Sequence, residues 1–97
     1  MSETKFTPGP WNVEHPFQEP GVYVGGPRTE LVCKLYPLDD VAKQRGENIE
    51  ANAALIAAAP DMYAACEAAE VFLRDIGSHS KALSMVRAAL RKARGEA

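Results

Sequence analysis

No apolar run in this chain approaches the roughly 20 residues that a membrane-spanning helix needs, so no membrane association is expected. The first residues, Met1-Ser2-Glu3-Thr4-Lys5, lack the basic-then-apolar pattern of a secretory signal, and a cytoplasmic protein is expected. Cysteine is scarce: Cys33 and Cys66 stand apart, without CxxC spacing. In a reducing cytosol they read as small buried hydrophobes rather than a disulfide. Two thiols and two histidines at these spacings do not make a metal-ligand set, so no metal is expected.

Catalytic signatures are missing as well. There is no nucleophile elbow, P-loop or dinucleotide fingerprint. Gly25-Gly26 is followed by a strand-like run, so it cannot present a helix N-terminus to a phosphate. His15 and His79 fall in loops with no evident carboxylate partner. The acid pairs Asp39-Asp40 and Glu47-Glu50 read as solvated faces. The chain is not expected to be an enzyme or to carry a cofactor.

What the chain does have is alanine. Ten of the 19 residues from Ala51 to Ala69 are alanine, the residue with the best helix propensity and almost no bulk on the helix surface. The full 97 residues suit a single domain, 1–97, whose small core favours oligomerisation. The hydrophobic fraction of 46% and charged fraction of 25% are ordinary for a globular protein. Charge is uneven. Residues 1–77 hold 12 acids and 6 bases, a net −6, whereas residues 78–97 hold 5 bases and 1 acid, a net +4. The basic end either complements its own helix dipole or meets an anion.

The expected fold is α+β, a three-stranded antiparallel sheet followed by a helical hairpin. Pro8 and Pro10 make Thr7-Pro8-Gly9-Pro10-Trp11 an extended arm. Trp11 to Glu14 continues it as a first strand, with Trp11 either closing the core or stacking on a ligand. Val22-Tyr23-Val24 is a second short strand. Glu30 to Tyr36 is a third, with Leu31, Cys33 and Leu35 on one face and Val32, Lys34 and Tyr36 on the other. Gly25-Gly26 points to a hairpin loop of four or five residues between them. The meander thus spans 1–36 and a connector 37–46. A long helix over 47–76 is expected to kink or break at Pro60, giving segments 47–59 and 60–76. Met62, Cys66, Ala69, Leu73 and Ile76 form its core-facing stripe. Gly77 serves as a C-cap, and a last helix follows over 80–94. Its apolar stripe is Ala82, Leu83, Val86 and Leu90, while Arg87, Arg91 and Arg94 line another face.

The remaining polar constellation suits a small nucleotide. Asn48 and Asn52 sit one helical turn apart and offer donors and acceptors; the alternative is helix–helix hydrogen bonding or a role at a helix N-terminus. Arg28, Lys34 and Arg45 are the nearby cations, and Tyr23 and Tyr36 offer aromatic faces. Amides read base edges, cations hold phosphates and rings stack on bases. Direct nucleic-acid binding is disfavoured by the net charge of −2.

Thr7-Pro8-Gly9-Pro10-Trp11, followed by the run Glu50-Ala51-Asn52-Ala53-Ala54-Leu55-Ile56-Ala57-Ala58-Ala59-Pro60-Asp61-Met62, resembles a widespread family of small phage and prophage proteins. The layout of sheet then helices is also similar to one type of phage anti-defence sponge. That likeness implies an oligomer, a dimer or hexamer, that sequesters a cyclic nucleotide or cyclic ADP-ribose-type immune signal without cleaving it. It implies Asn52 as a ligand-contacting amide. The alternative function is a protein-binding inhibitor of a host defence complex, using the acidic surface of residues 1–77.

Overall fold

The computed structural model describes residues 6–17, 21–36 and 48–96. The expected connector, with Arg45, lies outside the described residues. The chain forms two compact units, Phe6–Pro60 and a second that takes in Asp61 onward.

In the first unit, β1 (Asn12–Glu14), β2 (Val22–Gly25) and β3 (Leu31–Leu35) form an antiparallel sheet in the order β1-β2-β3. Helix α1 (Ile49–Ala57) packs on it through β1 and β2. Val24 and Ala53 are fully buried and Val22 nearly so. Trp11, Val13, Cys33 and Leu35 pack around them, as do Ile49 and Ile56 of α1. With only a methyl group at fully buried Ala53, α1 can lie close against the valines of β2.

β3 departs from the alternation its sequence suggests. Val24 pairs with Cys33, but Gly25 pairs with Leu31, leaving Val32 as an extra residue. This bulge reverses the faces beyond it. Val32 packs towards the core, and Leu31, expected to share a face with Cys33 and Leu35, is 54% exposed. The hairpin loop that follows β2 has five residues, closed by the Gly26 N–H donating to the Glu30 carbonyl at 2.8 Å. Thr29 sits in it at φ 67°, the left-handed region that a β-branched residue adopts only under strain.

Three helices follow the sheet, the long helix being broken near Pro60 into two separate helices rather than forming one arm of a hairpin. The break falls at Ala58, which caps α1, its N–H donating to the Ala54 carbonyl at 3.0 Å. α2 (Ala59–Asp75) then starts one residue before Pro60. The proline has no N–H to continue the ladder of α1, but at the second position of a new helix none is required. α3 spans Lys81–Ala93.

In the second unit, two glycines end helices in the same way. After α2, Gly77 at φ 70° lets its own N–H reach Arg74 O and the Ser78 N–H reach Leu73 O, at 3.0 and 2.9 Å. After α3, Gly95 at φ 78° repeats the pattern with Lys92 and, through Glu96, Arg91. Ser80 caps α3, its Oγ accepting from the Leu83 N–H. Leu83 and Leu90 are buried, as their stripe predicts. Of the expected α2 stripe, Cys66, Ala69 and Leu73 are half-buried, while Met62 and Ile76 at its ends are 50% and 61% exposed. Beside it Tyr63, Glu67 and Glu70 meet Arg94 and Arg87 of the α3 side in antiparallel order.

Candidate functional site

The side of the sheet opposite α1 carries the aromatic and cationic groups. Alternation along β2 sends Val22 and Val24 to the core and Tyr23 outward. Its register neighbours are Glu14 on β1 and Lys34 on β3. Tyr36, two residues beyond Lys34, returns to the same face. Its ring lies against Gly21, where an added Cβ would stand 2.5 Å from it. Glycine at position 21 is therefore what lets the tyrosine lie flat over the strand.

These groups touch. The Tyr23 and Tyr36 hydroxyls are 3.1 Å apart, and their rings meet edge to face at a centroid distance of 6.3 Å. Lys34 Nζ stands 4.9 Å over the Tyr23 ring. An ammonium held over one ring, beside a second ring that is 43% exposed, presents a charge and a stacking face together. Glu14 tempers the positive potential; its carboxylate lies over Gly25.

The other expected site residues are elsewhere. Asn48 is the N-cap of α1, its Oδ1 accepting from the Ala51 N–H at 2.9 Å. The amide oxygen is thus committed to the helix N-terminus. Asn52 is exposed on α1, on the far side of the sheet from the tyrosines, with its backbone N–H bonded to Asn48 O at 3.0 Å. Arg28 occupies the hairpin loop before β3, at the opposite end of that strand from Tyr36. The structure therefore brings together Lys34, Tyr36 and Tyr23, and does not bring Asn48, Asn52 or Arg28 to them.

Two features escaped the sequence pattern. His15, read from the sequence as a loop residue without an evident carboxylate partner, hydrogen-bonds through Nε2 to the Glu50 carboxylate at 2.9 and 3.0 Å. A separation of 35 residues hides this pair from any local reading. Second, the basic residues of α3 do not act as one row. Arg94 donates from Nε to the Tyr63 hydroxyl at 2.6 Å and lies 3.5 Å from Glu67. The bond from Tyr63 pushes its already high pKa further up, so Arg94 stays charged. Arg87 stands 3.5 Å from Glu70, while Arg91 lines an open cleft.

Both cysteines are free and half-buried. Among the described residues no helix is long and apolar enough to cross a membrane. No curated protein and no solved structure matches the chain. Residues 1–97 match the family described as Salmonella phage P22 protein Y8K6, and the chain belongs to that family.

Proposed function

We propose, with membership of this phage protein family as the premise, that the chain is a non-enzymatic binding protein that sequesters a cyclic nucleotide or cyclic ADP-ribose-type immune signal in the host cytoplasm. The observation that supports this reading is the contact of Tyr23, Tyr36 and Lys34 on the face of the sheet opposite α1. Sheets that bind nucleotides use such faces: rings stack on bases and a cation meets the phosphate. Glu14 beside them favours a ligand of few negative charges over a nucleic-acid polyanion. Asn52 would supply a base-reading amide from a second copy, because it lies on the other side of the sheet within one chain. A homo-oligomer, dimer or hexamer, is therefore part of the proposal.

Calorimetric titration with cyclic di- and trinucleotides and cyclic ADP-ribose isomers tests it. Binding of one panel member at micromolar protein supports the reading, and heat from none of them rejects it.

A second reading has its own support. Phe17 in the first unit is 89% exposed, and Phe72 in the second is 63% exposed. Aromatic residues anchor protein interfaces, so an inhibitor of a host defence complex fits these side chains. A pull-down from host lysate separates the two. A stoichiometric host protein favours inhibition, and a small molecule released on heating favours sequestration.

A further inference from the structure

α3 and the turn before it border an open cleft of about 270 Å³, lined by His79, Ser80, Leu83, Ser84, Arg87 and Arg91. Ser80, Ser84, Arg87 and Arg91 recur at helical spacing, so they share one face of α3 over three turns. Leu83, 6% exposed, forms an apolar floor. Among the described residues no carboxylate lines the cleft, and Glu70 stands 3.5 Å from Arg87 Nε. The three arginines of this helix are therefore used differently. Arg94 is held by Tyr63 and Glu67, Arg87 has one long contact, and Arg91 makes no ion pair among the described residues.

We propose that this cleft is a phosphate-group site, independent of the sheet face. Two guanidinium groups one turn apart offer planar forks of N–H donors to phosphate oxygens. Ser84 adds a hydroxyl donor. Ser80 Oγ accepts from the Leu83 N–H and from the Ser78 hydroxyl, which leaves its own O–H to donate. The ligand would be a small phosphorylated molecule, because the cleft lies at the small end of ligand pockets. Glu70 is a carboxylate that phosphate binding would have to outcompete at Arg87, which makes Arg91 the principal anchor.

Amide NMR titration of the whole chain with inorganic phosphate, ribose 5-phosphate and adenosine monophosphate tests this, with sodium chloride at matched ionic strength as control. Saturable shifts at Ser80, Ser84, Arg87 and Arg91 with the phosphates, absent with chloride, support the site. The tightest of the three shows whether the phosphate arrives free, on a sugar or on a nucleotide. Arg91→Gln should weaken binding about tenfold, with Arg91→Lys intermediate because it keeps charge but loses the fork. Tyr36→Ala should leave it unchanged, which separates this site from the sheet face. Shifts equal in chloride, or unchanged affinity in Arg91→Gln, overturn the proposal.

Discussion

The Cβ of Pro60 lies 2.8 Å from the point where a Cβ on Gly9 would stand. Gly9 belongs to the proline-rich arm and Pro60 to the alanine-rich run, so the two sequence motifs that mark this chain meet in space. The arm is held around that contact. The Trp11 indole N–H donates to Thr7 O at 2.9 Å, and Phe6 packs edge-on to Trp11. Gly9→Ala should therefore destabilise the chain by about 1–3 kcal/mol, the usual cost of overpacking. In a Pro60→Gly background, which removes that Cβ, the same change should cost less, with a coupling of about 0.5 kcal/mol or more in denaturant melts. Equal costs in both backgrounds would show that the contact is not the cause.

Asn48 and Asn52 should separate cleanly. Loss of the α1 cap in Asn48→Ala should cost about 1 kcal/mol of stability. Asn52→Ala, at an exposed helix position, should melt within about 0.5 kcal/mol of the parent. It should weaken ligand binding only if the proposed sequestration is right.

Thr29 is held at φ 67° in the β2–β3 loop. Thr29→Gly should stabilise the chain by about 1 kcal/mol through relief of that conformation. The gain will be reduced by losing the bond its hydroxyl donates to Arg28 O. A lower midpoint in urea would mean that the loop relies on the threonine side chain.

The strands, their antiparallel pairing and the glycine helix ends were legible because each depends on local chemistry: β-branched residues, Gly25-Gly26, Gly77 and Gly95. The bulge at Val32 was not, since alternation alone gives no sign of a residue left unpaired by its neighbour strand. Nor was the polar seam of α2, where Tyr63, Glu67 and Glu70 meet Arg94 and Arg87 across to α3. For the site, composition singled out Tyr23, Lys34 and Tyr36 as chemistry, but only the register of β2 against β3 places them in contact. Asn48 looked like a binding residue because its spacing from Asn52 is helical; the start of α1 one residue later makes it a cap.

If the sheet face binds the nucleotide, Tyr36→Ala should lower affinity about tenfold, as expected for losing one stacked ring. Lys34→Ala should weaken binding less, and the difference should shrink as salt is raised, because its contribution is electrostatic. Titration calorimetry of the two variants reads both. Unaltered affinity in Tyr36→Ala would remove the sheet face as the site.

Assembly has its own test. Leu55 is 61% exposed, and Ala51 and Ala54 beside it are also exposed, leaving a small-residue face on α1 open to a second copy. Light scattering at micromolar protein should give at least twice the monomer mass, and Ala54→Arg should lower it. A monomer in the parent rules out the assembly. An unchanged oligomer in the variant moves the interface elsewhere.

The extra residue at Val32 also bears on how copies of this chain avoid joining wrongly. Among the described residues β3 is an outer strand, and such a strand is a template on which a foreign strand can crystallise into a growing stack. Here the ladder of backbone donors and acceptors falls out of step between Leu31 and Cys33, and Lys34 sets a charge beside the regular part. An incoming strand would meet a short, interrupted frame. The bulged β3 edge is thus a poor template for adding a strand to the sheet.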